Sequence, residues 1–199
     1  MKKFDIQAIY RKANTSQRNQ AHRIYPYLVR NLSIYRPNQA WAMDTTYIPM
    51  RRGIVYLSAV LDWATRRVLA WRLSNSLTAD PCVDALEVAI LKYGKPEIMN
   101  TDQGSQFTSS AFITPASGRQ HSGRMDGKGC WRDNVFVERL WRSVKYEEIY
   151  LHDYDTVSEA RQVLAIYFDF YNLRRPHSTL DGQTPDTAYF NQPLLAVAA

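Results

Sequence analysis

Between residues 39 and 101 the apolar positions keep a strand-like rhythm that is interrupted once by a helical one. Gln39 to Met50 (Gln-Ala-Trp-Ala-Met-Asp-Thr-Thr-Tyr-Ile-Pro-Met) is rich in strand formers and puts Asp44 in mid-strand. An acid in such a place is costly unless it is paired or bound to metal. Gly53 turns the chain into Ile54 to Leu61, and Asp62-Trp63-Ala64-Thr65 leads to a third strand from Arg67 to Leu73. Three strands with short connections predict an antiparallel meander. Asp80 as N-cap, Pro81 at the first helical position and Gly94 past the end then bracket a helix, with Val83, Leu86, Ile90 and Tyr93 on one face. That helix returns the chain to a fourth strand, Glu97 to Thr101, beside the first.

The second half has helical spacing. Asp133 to Tyr150 predicts a helix with Phe136, Val137, Leu140, Trp141 and Val144 on its buried face. Thr156 and Glu159 have the spacing of a capping box, opening a helix whose Ala160, Val163, Leu164, Tyr167 and Phe168 face inward. Thr184-Pro185 opens a last short helix, and Leu194 to Ala199 is a tail. One stretch fits neither period: in Ile113 to Arg124, Pro115, Gly118 and Gly123 break helix and strand alike, and almost nothing can face a core.

Composition sets the bounds. A chain of 199 residues that is 45% hydrophobic suits one main domain with an arm. With no apolar run long enough to span a bilayer and no signal-like start, a soluble, cytosolic protein is expected. Cys82 and Cys130, the only cysteines, are too few for a disulfide framework and fit packing or loop roles. The formal charge of +6 is concentrated at one end: Met1 to Arg36 holds eight basic residues against Asp5 alone. With Tyr10, Tyr25, Tyr27 and Tyr35 interleaved, that arm suits a phosphate backbone, although a solvated tail would carry the same charge.

After the short apolar run Ile98-Met99 comes Asn-Thr-Asp-Gln-Gly-Ser-Gln-Phe, residues 100–107, where a buried strand breaks into a loop and carries Asp102 to a cleft. This resembles the second-acid motif of insertion-sequence transposases, whose catalytic domain is similar to that of retroviral integrases. Asp44, within Trp-Ala-Met-Asp-Thr-Thr-Tyr-Ile, resembles the first acid, and Glu138 the third; 35 residues separate Asp102 from Glu138, the spacing for which this group is known. Tyr171-Asn172-Leu173-Arg174-Arg175-Pro176-His177-Ser178-Thr179-Leu180 resembles the closing motif of the same transposases. The resemblance covers nearly the whole chain outside Ile113 to Arg124. It implies the second-frame protein of an insertion sequence, with a ribonuclease H-like α/β fold: a mixed five-stranded sheet with flanking helices. The fifth strand would fall in the discordant stretch, which either records compensating frame shifts in the gene or is a variable loop. Residues 37–199 would form the integrase-like core with its C-terminal helices, and residues 1–36 the tail of a truncated N-terminal DNA-binding region.

The implied chemistry is Mg²⁺-dependent nicking of DNA at element ends, followed by attack of the freed 3′ hydroxyl on target DNA. Activating a nucleophile and stabilising a leaving oxygen suits two Mg²⁺ ions about 3.5–4 Å apart. Mg²⁺ prefers oxygen ligands, which fits Asp44, Asp102 and Glu138, and Mn²⁺ is a possible substitute. On a helix with about 3.6 residues per turn, Asn134, Glu138, Arg142 and Lys145 form one polar stripe beside the apolar face. Arg142 and Lys145 are therefore expected at DNA phosphates, with Arg174, Arg175, Lys2, Lys3, Arg11 and Lys12 as further contacts. Gln103, Gly104 and Asn134 are candidates for shaping the pocket. Asp62 competes as a ligand, but a turn role is the commoner one for such an Asp, and His177 suits packing or a phosphate contact better than catalysis. The resemblance further implies a bacterial, nucleoid-associated protein, oligomeric on DNA. A truncated or decayed copy that binds DNA or transposase subunits without cutting, and a ribonuclease H-type nuclease, are the alternatives.

Overall fold

The computed structural model describes residues 32–101 and 135–191. Strands β1 (Ala40–Pro49), β2 (Ile54–Asp62) and β3 (Val68–Ser74) form the expected meander; helix α1 (Asp80–Tyr93) then leads into β4 (Ile98–Thr101). The sheet order is β3-β2-β1-β4, with β4 parallel to β1 and the other pairs antiparallel. The predicted fifth strand, the 113–124 stretch and Cys130 lie outside the described residues. Beyond them come α2 (Val135–Glu147), a 3₁₀ turn (Ile149–Leu151), α3 (Val157–Leu173), a second 3₁₀ turn (Ser178–Leu180) and α4 (Pro185–Phe190).

The period of two along β1 divides the core between the sheet's faces. Trp41 and Met43 point to the face covered by α1, whereas Ala42 and Ile48 point to the face covered by α2 and α3. Asp44 has the parity of Ala42, so its carboxylate is turned toward α2. In β3 the pairing passes from Leu61↔Val68 to Val60↔Ala70. The extra residue, Leu69, makes a bulge that lets Leu69 and Ala70 both pack toward α1.

Two details of α1 differ from the sequence expectation. Asp80 is the first helical residue and Ala79 the N-cap, with no side-chain cap bond because alanine carries no acceptor; the Cys82 and Val83 amides donate to the Ala79 carbonyl, each at 3.0 Å. The fully buried face is Cys82, Ala85, Leu86 and Ala89, while Val83, Ile90 and Tyr93 are only partly buried. Small side chains let the helix lie close to the sheet, and they carry little weight in a hydrophobic pattern.

The C-terminal helices are fastened by specific polar contacts. Thr156 accepts from the Glu159 amide at 3.1 Å while the Glu159 carboxylate accepts from the Thr156 amide, the predicted capping box. Asn172, in the last turn of α3, brackets the edge of β3: its Oδ1 accepts the Val68 N–H and its Nδ2 donates to the Val68 carbonyl, both at 2.9 Å. The chain after α3 folds back, so that Arg175 pairs with Glu147 of α2 at 2.6 Å and His177 stands edge-on to Tyr171 at 4.9 Å. Burial, with Arg175 and Arg66 nearby, pushes the His177 imidazole down to about 4.

Thr156→Ala should cost roughly 1 kcal/mol, read as a fall in Tm of roughly 2–4 °C. Asn172→Ala leaves two backbone groups of Val68 without their partners and should cost more, roughly 2–4 kcal/mol in urea unfolding. His177 is neutral in the folded chain down to about pH 4, whereas in the unfolded chain it takes up a proton below about pH 6.5. Its depressed pKa therefore contributes stability that is complete above about pH 6.5 and is lost as pH falls toward 4. An NMR titration should place the His177 midpoint near 4, and the stability difference between wild type and His177→Gln should change across that window.

Candidate active site

Asp44 sits in the middle of β1, on the sheet face that α2 covers. The Nε1–H of Trp141 donates to its Oδ2 at 2.9 Å, which fixes both the carboxylate's orientation and the place of α2 along the strand. Trp141 is itself buried, so this bond forms away from bulk water, where a misplaced polar group is costly. Glu138 lies three residues earlier, in the first turn of α2. At 1.5 Å per residue it is about 4.5 Å along the axis and about 60° round from Trp141. Its side chain is exposed at the edge of the buried face formed by Val137, Leu140, Trp141 and Val144.

The expected second acid follows the end of β4 in the sequence. β4 runs parallel to β1 and ends with Thr101 opposite Met43, the residue before Asp44. Asp102 follows Thr101 in the sequence and lies outside the described residues, as do Gln103, Gly104, Asn134, Lys2, Lys3, Arg11 and Lys12. Among the described residues no three His, Cys, Asp or Glu side chains gather as a metal site. The acids that are described supply hard oxygen donors from two facing elements, the chemistry an Mg²⁺-like ion prefers.

The other expected residues divide into free and engaged. Arg142 is exposed one turn beyond Glu138 and makes no ion pair among the described residues. Lys145, half-buried, lays its Nζ over the Tyr47 ring at 4.6 Å from the centroid, which ties it to β1. Arg174 is exposed near the Phe170 ring, whereas the Arg175 guanidinium is held by Glu147, whose carboxyl it pulls below the usual range. Asp62 is fully buried and accepts from the Asn38 amide at 2.8 Å and from the Thr65 amide and hydroxyl at 2.9 and 2.7 Å. Burial raises its pKa against the pull of those donors. It is the organiser of the β2–β3 turn, as the commoner role of such an Asp suggested.

Sequence reasoning missed the polar role of Trp141, assigned to the core on its ring alone, and the platform role of Tyr47. The available signal was the i, i+3 spacing of Glu138 and Trp141, which puts an indole N–H on the turn beside the acid.

With this geometry in place, the comparisons with known proteins converge. Two family models, each described as an integrase core domain, match residues 34–121 and 124–185. The chain is 34% identical over 153 residues to the transposase InsF for insertion sequence IS3A of Escherichia coli K12, covering 75% of this chain and 53% of the relative. It is 33% identical over 152 residues to the transposase for insertion sequence element IS904 of Lactococcus lactis, covering 75% of this chain and 60% of the relative. It thus spans little more than half the length of these curated relatives. Among solved structures it is similar to a chain of the simian T-cell lymphotropic virus intasome, with TM-score 0.69 at 19% identity over 89% of this chain and 62% of that one. It is similar also to the HTLV-2 integrase catalytic core domain in complex with magnesium, with TM-score 0.54 at 19% identity over 79% of this chain and 98% of that one. These likenesses show the ribonuclease H-like fold, realised here as a four-stranded mixed sheet with flanking helices among the described residues. By its two family models, which together match most of the chain, it belongs to the integrase core domain family, and the bacterial relatives it is similar to are insertion-sequence transposases.

Proposed function

We propose that this chain is the catalytic portion of a DNA transposase, a polynucleotidyl transferase that nicks DNA at the ends of its element and joins the freed 3′ hydroxyl to target DNA. The observation that carries the proposal is Asp44 held in mid-strand by Trp141, with Glu138 on the adjoining turn of the same helix. A carboxylate in the centre of a sheet is a poor choice for stability, and its tethering to the helix that bears a second acid has a purpose if both serve one reaction. Family membership supports the same conclusion, as does the magnesium complex of the HTLV-2 core.

Asp44, Asp102 and Glu138 would hold two Mg²⁺ ions, with Mn²⁺ as a substitute. When bound, the ions supply activation of the attacking oxygen and stabilisation of the leaving one. The remaining work falls to the chain. Trp141 keeps the Asp44 carboxylate in one orientation, so that it need not reorganise when substrate arrives. Arg142 and Lys145, one and two turns beyond Glu138, would hold backbone phosphates near the acids, with Arg174 and the basic arm as outer contacts. Contacts of that kind read no sequence, so discrimination of element ends is not expected from this portion of a transposase. DNA, at element ends and target, and further copies of the chain assembled on it are the partners this function requires. The nucleoid of a bacterial cell would be its location.

A decayed copy without catalysis is disfavoured because the first family model runs through His121 and the second begins at Arg124, which leaves little of the discordant stretch unmatched.

Asp44→Asn and Glu138→Gln should each lower Mg²⁺-dependent nicking by about a thousandfold or more. Both should retain binding to a labelled duplex. Wild-type nicking that survives either change would refute the assignment. Trp141→Phe keeps most of the ring but removes the N–H; nicking should fall by roughly 10–100-fold with DNA affinity unchanged.

A further inference from the structure

The β2–β3 turn brings a further cation to α2, outside the motifs that carry the transposase resemblance. Arg66, in left-handed backbone at φ 63°, donates to the Trp63 carbonyl and lays its guanidinium on the Phe136 ring, 3.3 Å from the centroid. Phe136 in turn meets the Trp63 ring edge-on at 5.3 Å. Arg139, one turn further along α2, approaches the same Phe136 ring at 5.9 Å. Neither guanidinium forms an ion pair among the described residues. The nearest carboxylate to Arg66 in the turn, Asp62, is already committed to Asn38 and Thr65.

Two like charges sharing one aromatic ring, one of them largely withdrawn from water, make an energetically poor arrangement for the chain alone. Burial and the neighbouring Arg139 pull the Arg66 guanidinium down to about 10, with Tyr171 and Asp62 opposing. Nearby, Arg175 stands over Tyr171 with its charge paired to Glu147, and His177 is neutral, so neither gives Arg66 or Arg139 an anionic partner. An uncompensated, partly desolvated cation is the kind of group an incoming anion completes, since the cost of drying it has already been met in folding.

The place of this pair relative to the acids is set by α2. Phe136 and Glu138 lie in the first turn of the helix, Trp141 in the middle and Lys145 near its end. From Phe136 to Lys145 the helix rises about 13.5 Å. That is the length of about four base steps of duplex. Around the axis Arg139 stands about 100° from Glu138 and Arg142 about 40°, both in the same direction. Around the axis Arg139 and Phe136, which carries Arg66, therefore lie to one side of Glu138 and Lys145 about 20° to the other, while along the axis only Phe136 of these precedes it.

We propose that Arg66 and Arg139, set on Phe136, form a phosphate seat that holds the DNA backbone on the side of Glu138 opposite to Lys145. This rests on the transposase function proposed above and adds a contact to it. A strand held on both sides of Glu138 around the helix cannot swing away from it, so the pair sets which phosphate is presented for cutting. Arg66 offers its outer edge to a phosphate oxygen while Phe136 keeps the guanidinium plane fixed, and Arg139 reaches the same phosphate from solvent.

The experiment uses the full chain with a short fluorescent duplex. Binding is measured from about 50 to 200 mM salt for wild type, Arg66→Lys, Arg66→Gln, Arg139→Gln and the Arg66→Gln/Arg139→Gln pair. Each lost phosphate contact should lower the slope of log K against log salt by roughly 1. The paired variant should also nick at more than one position on an end-labelled duplex. Arg66→Lys should keep the slope closer to wild type than Arg66→Gln, because its charge remains. Slopes equal to wild type in Arg139→Gln and in folded Arg66→Gln would overturn the proposal and leave Arg66 a clamp on the helix. If Arg66→Gln fails to fold, exposed Arg139 still decides: an unchanged slope there sinks the seat. Failure of the wild-type chain to bind or nick DNA would instead refute the transposase function itself, so the two outcomes are distinct.

Discussion

Everything in the site depends on one bond between an indole and a carboxylate. Trp141 is buried among Val137, Leu140 and Val144, so the apolar face of α2 cannot shift without dragging its N–H off Asp44. Asp44, in turn, cannot turn away, because a strand's period of two pins its side chain to the α2 face as firmly as it pins Ala42 and Ile48. Core packing and polar chemistry therefore specify the same register between helix and sheet. The hydrophobic surface holds α2 down, and the single polar contact states where along β1 it must stop. This is the division of labour expected of buried polar groups: nonspecific attraction supplies stability, and a bond that only one arrangement satisfies supplies uniqueness.

The sheet supplies the other constraint. Parallel pairing of β4 with β1 requires a crossover, which α1 provides, and it ends β4 at Thr101 beside Met43. Open α/β sheets place their chemistry at the carboxyl ends of parallel strands, where the chain leaves the sheet and backbone groups are freed. Here the exit point of β4 and the acid on β1 coincide to within one residue of register. The Asp62 turn, with its bonds to Asn38 and Thr65, secures the opposite end of β1, where Trp41 pairs with Asp62. Tyr189 of α4 and the indole of Trp41 both donate to Asn38, so the last helix is joined to the same corner.

Much of this was legible because it is local. The alternation in β1 to β3, the Gly94 stop, the Thr156–Glu159 capping box and the Thr184-Pro185 start are each written within a few residues, and the structure has them where the pattern puts them. The buried face of α1 was less legible because Cys82, Ala85 and Ala89 are small, and closeness of approach, which selects small residues, leaves no trace in hydrophobicity. Long-range pairings were not legible at all. Nothing near Arg175 in sequence announces Glu147, 28 residues earlier, or ties Asn172 to the backbone of Val68. Trp141 was half legible: the period assigned its ring to the core, but no pattern says which way an indole N–H will look. Arg66 belongs to the same class, since only the folded turn puts it on Phe136.

The distribution of charge on α2 gives the last step. A helix selected for stability alone would pair Glu138 with Arg142, an i, i+4 acid-before-base spacing, yet no such ion pair forms. Arg139, Arg142 and Lys145 instead crowd one side of the helix as like charges, an arrangement that weakens an isolated helix by a few tenths of a kcal/mol per pair. The cost falls on the face that the core does not use, and it is concentrated around the one exposed acid of the first turn. Repulsion of this kind is relieved by a polyanion laid across the helix, which releases its own counterions as it binds. The same crowding that gains nothing for the fold thus becomes favourable once a phosphate backbone is present, and it is at the turn bearing Glu138 that the backbone would be drawn in.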